Sequence, residues 1–379
     1  MNSIIMIREA EEKDLPQLRK ILDYYIRETA VNFDFETPSE EAFAALWRSH
    51  RARYPFLVVQ EGDTDHLLGY AYAGPFVGKS AYQWSAELTI YLDPARLHEG
   101  LGTFLYKVLE RRLEEMGVHN LYACIAVPSE EPDPYVSHAS ESFHKSRGFQ
   151  TVGRFAHCVN KFGRWYDMIW MEKTILSPCE APMPVMFRDG TTDGEFVDLC
   201  SEEGQPTGRC AERSFAHREG LLHRTAHVWI ARQREGRTQV LLQKRSLNKD
   251  SFPGCYDTSS AGHIPAGREP VESALRELAE ELGVYAIPPQ LVPLGHLRVS
   301  SEREFHGAPF KNNEYVYLFL CEKSVDETTL HLQKEEIDEV RWFDLEELTA
   351  AVAAKDSRFC VPAESLQLLS EYLNRRKQG

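Results

Sequence analysis

The sequence contains no CxxC pair and no other cysteine spacing of the kind that holds zinc. Its eight cysteines stand apart, at 124, 158, 179, 200, 210, 255, 321 and 360, and are expected as buried or free thiols in a reducing compartment. No apolar run is long enough to span a bilayer, so no membrane partner is expected. The opening "MNSIIMIREAEEKDL" lacks a basic stretch followed by a long apolar one, so no secretory leader is expected and the location is read as cytoplasmic. Excess positive charge is also missing. The net charge of −15 argues against a general surface for nucleic acid or anionic lipid, and an anionic substrate then needs a local cation cluster or a metal. There is no internal repeat and no low-complexity tract.

What remains is a globular composition, 42% hydrophobic and 27% charged, on a chain of 379 residues, too long for one ordinary core. Residues 1–173 alternate strands with helices. "MIREA", "PFLVVQ", "LLGYAYAG", "SAELTIYLD", "LYACIAV" and "YDMIWMEK" read as strands, and "EKDLPQLRKILDYYIRET" and "LGTFLYKVLERRLEEMG" as amphipathic helices. The second helix is expected to bury Leu101, Phe104, Leu105, Val108, Leu109 and Leu113 and to stop at Gly117. Residues 174–186, "TILSPCEAPMPVM", hold three prolines without periodicity and read as a linker. A second alternating region follows over 187–379, unlike the first, so two unrelated domains are fused.

The stretch "GHIPAGREPVESALRELAEELGV" poses an electrostatic problem. On a helix, Val271, Ala274, Leu275, Leu278 and Leu282 form an apolar stripe, while Glu277, Glu280 and Glu281 project together from another side. Like charges at these spacings repel. Either they face water as a solvated acidic surface or something positive sits among them, and clustered carboxylates suit hard divalent ions.

These residues resemble the Nudix box, G-x5-E-x7-R-E-U-x-E-E-x-G-U. Gly262, Arg276, Glu277, Leu278, Glu280, Glu281, Gly283 and Val284 fit, and one fixed slot departs, with Arg268 where the early Glu belongs. The resemblance implies Glu277, Glu280 and Glu281 as ligands for Mg2+ (or Mn2+), with Glu277 and Glu281 counted as catalytic. "LLHRTAHVWI", "LLLQKRSLNKDSFPGCYDTSSAGH" and "NNEYVYLF" are similar to the Nudix branch close to type I isopentenyl-diphosphate isomerase. There a catalytic cysteine precedes the Gly-His, whereas this chain has Ala261, and of the isomerase's paired glutamates only Glu314 remains, with Asn312 in the other place. Hydrolysis of a small diphosphate is therefore favoured over isomerisation, with a ligand-sensing module as a further alternative. By the same resemblance Arg245 and Lys249 bind the diphosphate, His223 and His263 match metal-ligand positions, and Glu335 and Glu336 lie where a late-loop base often sits.

In the first half, "ARLHEGLGT" joins a strand to an amphipathic helix, and a glycine-rich helix start presents backbone amides to an anion. From Ile7 to Glu172 the chain resembles GNAT-fold N-acetyltransferases of the phosphinothricin acetyltransferase group, carried by "ETAVNF", "RYPFLV", "GYAYAGPF", "AYQW", "ELTIYL", "EGLGTFLY", "FHKSRGF" and "GRWYDM". The resemblance implies acetyl-coenzyme A (acetyl-CoA) at Leu97, His98, Glu99, Gly100, Leu101, Gly102 and Thr103, with Ser140 and His144. Leu97 departs from the family's Gln/Arg, with Arg96 one residue early. It further implies Glu87 as the base that deprotonates an amine, and Phe33, Tyr82 and Trp84 as the acceptor pocket. At period two, Glu87 shares a face with Thr89 and Tyr91, and a buried setting there would raise its pKa.

The expected architecture is thus α/β (α+β), mixed sheets sandwiched by helices, with a GNAT acyltransferase fold followed by a Nudix fold. The expected enzyme is bifunctional, acetylating a small primary amine (an amino acid or a phosphinothricin-like compound) and hydrolysing a small diphosphate. Its partners are these small molecules and a second copy of the chain in a homodimer.

Overall fold

The structure is a computed structural model that describes residues 5–62, 64–179, 181–249, 251–305 and 307–378. The chain forms two compact units, one of Met1–Glu180 with Pro184–Gly194, the other of Ala181–Met183 with Glu195–Gly379. The change of unit near 194 falls later than the end of the expected linker at 186, because Val185 and Phe187 are buried in the first unit's core.

The first unit orders its strands β1 (Ile5–Glu9), β2 (Phe56–Glu61), β3 (Leu67–Pro75), β4 (Ser85–Leu92), β5 (Asn120–Pro128), β7 (Arg164–Thr174) and β6 (Gln150–Lys161). The continuous apolar run of β2 is explained by cover on both faces. Phe56 and Val58 pack under α1 (Leu15–Arg27) and α2 (Glu40–Arg53), while Leu57 and Val59 face the cluster under α3 (Leu101–Glu115). Helix α2 was not expected. It starts where the Ser39 side chain accepts from the Ala42 amide and buries only Phe43, Ala44 and Trp47, a stripe too narrow to stand out in the sequence. Helix α3 ends before Gly117, whose φ of 90° suits glycine. One residue of its expected apolar face departs: Phe104 is 53% exposed. All neighbours in this sheet are antiparallel except β4 and β5. Those two run parallel and pair only from Ser85 to Glu87 against Asn120 to Tyr122. Beyond Glu87 they part, β4 continuing against β3 and β5 against β7. A short α4 (Ala139–Ser146) precedes β6.

The second unit is centred on β10 (His223–Arg234), which runs parallel to β15 (Ala308–Cys321) and antiparallel to β11 (Arg237–Arg245) and β13 (Ser260–His263). Ala226, Val228 and Ile230 pack towards α6 (Pro270–Leu282), and Trp229 towards α7 (Leu345–Ala353) and α8 (Ala363–Gln378). The sheet also takes in β8 (Phe196–Cys200), β9 (Pro206–Glu212), β12 (Tyr256–Asp257), β14 (Leu291–Phe305) and β16 (Ile337–Asp344), with α5 (Arg213–Glu219) after β9. Helix α6 has Pro270 in its first turn and closes on Gly283 at φ 71°, with Gly283 N donating to Ala279 O and Val284 N to Leu278 O.

Candidate active sites

In the first unit, Glu87 is the last β4 residue paired with β5, so it stands where the two parallel strands separate. Its cross-strand partner on β3 is Gly74. A cavity of about 480 Å³ opens on this face, lined by Glu87, Thr89, Tyr72 and Gly74 from the sheet and by His50 and Arg53 from α2. Burial alone raises the Glu87 pKa, as desolvation penalises its charged form. The other face of β4 carries Ala86, Leu88 and Ile90, packed with the core under α3. β4 and β5 thus begin to diverge at Glu87.

The turn before α3 lies at Leu97–Gly100, with His98 at φ 66° and Gly100 at φ 83°. Gly100 occupies the helix N-cap, and its carbonyl accepts from the Thr103 and Phe104 amides, so the helix starts tightly. Gly102 is small for a packing reason: a Cβ there would lie 3.2 Å from the Phe143 ring and 3.3 Å from the Ile90 Cδ1. Leu101 is buried and Leu97 is exposed. Arg96 does not stand in for the missing Gln/Arg, because Glu99 and Glu61 both hold its guanidinium.

Several expected residues have other work. His144 is buried, with Nε2 against the Tyr106 hydroxyl at 2.8 Å and Nδ1 against the Ser140 carbonyl at 2.7 Å, so neither nitrogen is free for a cofactor. Ser140 contributes that carbonyl. Phe33, Tyr82 and Trp84 do not line the cavity at Glu87. Phe33 packs with Ala30, Val136 and Tyr166, Trp84 against the α3-side core, and Tyr82 is 45% exposed beside Phe76. The residues that do join Glu87, His50 and Arg53, went unread because they sit on the unexpected α2.

In the second unit, the carboxylates of α6 separate by burial. Glu281 is 4% exposed and accepts from the Ser260 hydroxyl at 2.7 Å and the Ala261 amide at 3.3 Å. Glu277 lies against Gly262 so closely that a Cβ there would come within 2.3 Å of the Glu277 Cδ, which accounts for glycine at that slot. Glu280 is half exposed and, with Glu277, is paired by Arg276. Burial first raises Glu277 to about 7, with Glu280 adding to the rise. Burial and then Glu277 raise Glu281 to about 8. The pair is held where charge is costly, which is what a bound cation would relieve.

The loop before α6 is clamped by Arg224, which donates to the Asp198 carboxylate and to the Arg268 carbonyl at 2.9 Å, while the Gly267 amide donates to Asp198 at 3.0 Å. A cavity of about 330 Å³ gathers Glu277, Glu280, Glu281, Arg245, Lys249 and Glu336. Lys249 is paired with Glu336, and Arg245 with Asp257. Glu335 is exposed and outside this lining.

A second cluster adjoins this cavity, which His217, His263 and Glu314 line and behind which His223 is buried. The parallel register sets His223 opposite Glu314, β13 brings His263 alongside β10, and α5 adds His217, with ligand atoms all within 4.8 Å of one another. His223 Nε2 and His217 Nδ1 are buried without a hydrogen-bond partner. Burial, then neighbouring His223, lowers His217 to about 3, and burial likewise lowers His223 and His263. The imidazoles are therefore neutral at neutral pH, the form that binds metal. His217 escaped the sequence reading because it belongs to a separate short helix and meets the others only through the fold.

Among the described residues, no helix is long and apolar enough to cross a membrane. Comparison with known proteins matches an acetyltransferase (GNAT) domain over residues 7–170 and a NUDIX domain over residues 221–361. The chain is 34% identical over 173 residues to a phosphinothricin N-acetyltransferase of Streptomyces coelicolor, a match covering 45% of this chain and 96% of that protein. It is 33% identical over 154 residues to an uncharacterised Nudix hydrolase of Clostridium acetobutylicum, covering 41% of this chain and 72% of the relative. It is also 38% identical over 167 residues to Nudix hydrolase 3 of Arabidopsis thaliana, covering 44% of this chain but only 21% of that longer protein.

Proposed function

Since the chain belongs to the GNAT acetyltransferases through its first unit and to the Nudix hydrolases through its second, we propose a bifunctional enzyme with one chemistry in each. The first unit transfers an acetyl group from acetyl-CoA to a small primary amine such as an amino acid. The second hydrolyses a small diphosphate with Mg2+ or Mn2+.

For the acetyl transfer, the supporting observation is Glu87, partly buried with a raised pKa in a cavity at the parting of β4 and β5. Acetyl-CoA, held through the amides of the 97–103 turn, supplies the activated acyl group. Glu87 takes the proton from the acceptor ammonium, a task suited to a carboxylate whose pKa has moved towards neutrality. Thr89 and Tyr72, opposite each other in the β3–β4 register, wall the acceptor side.

For the hydrolysis, the supporting observation is the buried pair Glu277 and Glu281 against Gly262. Glu277, Glu280 and Glu281 would hold a divalent ion, which would supply neutralising charge for a diphosphate and make a nearby water more acidic. Ser260 and the Ala261 amide orient Glu281. Arg245 and Lys249 line the same cavity and supply cations for phosphoryl oxygens. Ala261, where the isomerases have their cysteine, favours hydrolysis.

A second reading concerns the imidazole cluster. Three neutral histidines with Glu314 form a nitrogen-rich set that suits a transition-metal ion, beside the all-oxygen set of α6. Elemental analysis of the purified protein tests it: bound transition metal that disappears in His223→Ala supports the reading, and none in the wild type removes it. The eight free thiols accord with a cytoplasmic location.

The main test uses the full chain. Acetyl-CoA thiol release is measured over an amine panel, and phosphate release over a diphosphate panel with Mg2+. Each activity is expected in the wild type, the first lost in Glu87→Gln and the second in Glu281→Gln. Absence of an activity from the wild type across its panel removes that half of the reading.

A further inference from the structure

The cavity at Glu87 contains one permanent cation, Arg53, among the residues that line it. Its setting goes beyond what a surface arginine needs. The guanidinium lies over the Phe187 ring, 3.6 Å from the centroid, and Nη2 donates to the Asp193 carboxylate at 2.6 Å. Phe187 is itself 2% exposed and packs edge-on against Tyr54, so the surface beneath the guanidinium is fixed.

Phe187 and Asp193 both come from the Pro184–Gly194 segment, which follows the last strand and is built into the first unit. Buried Gln83 fastens that segment at two points, donating to the Asp193 carbonyl at 2.9 Å and accepting from the Val185 amide at 2.9 Å. The segment also closes on itself, the Phe187 amide donating to the Thr191 carbonyl at 3.0 Å. Arg53 is thus stacked, pointed and held, yet the protein uses little of its donor capacity. Its Nε is buried without a partner, and its side chain is 32% exposed. A guanidinium fork offers five donors.

We propose that Arg53 recognises an acid group on the acceptor amine, and that Asp193 is the residue that positions it. The inference rests on the acetyl-transfer reading of Glu87 and adds the selection rule. An acceptor carrying a carboxylate or phosphinate a few bonds from its nitrogen is held at two points, ammonium at Glu87 and acid at Arg53. Planar bidentate recognition of such oxyanions is what arginine offers and lysine does not. An amine without the acid leaves the fork unsatisfied and binds more weakly.

The test measures kcat and KM for acetylation by the full chain with matched acceptors, an amino acid and the amino alcohol of the same side chain. The expected wild-type KM is at least about tenfold lower for the amino acid, the scale of a charge-assisted hydrogen bond. Arg53→Gln brings the amino-acid KM up to that of the amino alcohol, so that the preference between the two acceptors is lost. Arg53→Lys recovers only part of the preference, and Asp193→Asn raises the amino-acid KM severalfold more than that of the alcohol. A purely structural role would instead impair both acceptors together, and that result overturns the proposal. Equal use of the two acceptors by the wild type also overturns it while the acetyltransferase reading stands. No acetylation of either, or of any amine in the panel, removes that reading and this proposal with it.

Discussion

Glu87 in the first unit and Glu281 in the second are both shielded carboxylates with raised pKa values, yet their surroundings differ. For Glu87, burial is the sole cause of the shift, and Arg53 and His50, which line its cavity, come from a separate helix. A solitary carboxyl of this kind suits the proton transfer proposed for it. Glu281 is also pushed up by its neighbour Glu277, four residues back on the same helix. Two acids crowded in a poorly solvated place hold protons unless a cation replaces them. The difference fits the roles proposed for them, a lone desolvated carboxyl for proton transfer and a crowded desolvated pair whose repulsion a cation would relieve.

The sharpest way to break this contrast is at Glu87. Glu87→Gln is expected to lower kcat for acetylation by roughly 10²- to 10⁴-fold, the usual worth of a positioned base, with diphosphate hydrolysis unchanged. Retained acetylation would mean that the solitary carboxyl is not the base. Next comes Glu281→Gln, expected to reduce Mg2+-dependent phosphate release by at least about a hundredfold and to leave acetylation intact. An equal loss of both activities in either variant would erase the distinction between the sites.

A third prediction concerns pH. In the chelated protein Glu277 and Glu281 titrate near 7 and 8, above their unfolded values, so the folded state keeps protons that the unfolded state releases. Their contribution to stability is full below the unfolded pKa and lost as pH rises through about 7 to 8. Urea unfolding of the second unit without metal should therefore show stability falling from mildly acid to mildly alkaline pH. Glu281→Gln should flatten the slope, and Mg2+ should offset it by binding the deprotonated pair. A slope unchanged by the substitution would place the cause elsewhere.

The smallest effects separate the two motif glycines. Gly262→Ala forces a methyl to within 2.3 Å of the Glu277 Cδ and should weaken Mg2+ activation by about tenfold. Gly102→Ala meets the Phe143 ring and an Ile90 methyl at 3.2 and 3.3 Å, side-chain atoms able to give, and should change acetyl-CoA KM by less than that. Titrating each activity against its ligand reads both.

Much of this was legible in the chain itself. The alternation of strands and helices, the acidic triplet on α6 and the glycine-rich start of α3 are local patterns, set by periodicity and spacing that neighbouring residues carry. Gly100 and the clustering of Glu277 and Glu281 stand out from such patterns, whereas the roles given to Glu87, Glu277 and Glu281 came from likeness to the two families. Phe33, Tyr82 and Trp84 were placed in the acceptor pocket by likeness, and the structure puts them elsewhere because their rings are used in packing or exposed. His144 was assigned to the cofactor, whereas Tyr106 and the Ser140 carbonyl occupy both its nitrogens.

What the sequence alone determined was the identity of two folds and the residues whose roles are written in short spacings, because helix and strand periods act over a few residues. Only the tertiary structure decided which of three similar glutamates is buried, that His217 meets His223, His263 and Glu314, and that Asp193, far along the chain, pairs with Arg53 on the cavity wall beside Glu87. Those facts depend on desolvation and on distances between separate elements. Neither quantity exists until the chain has folded.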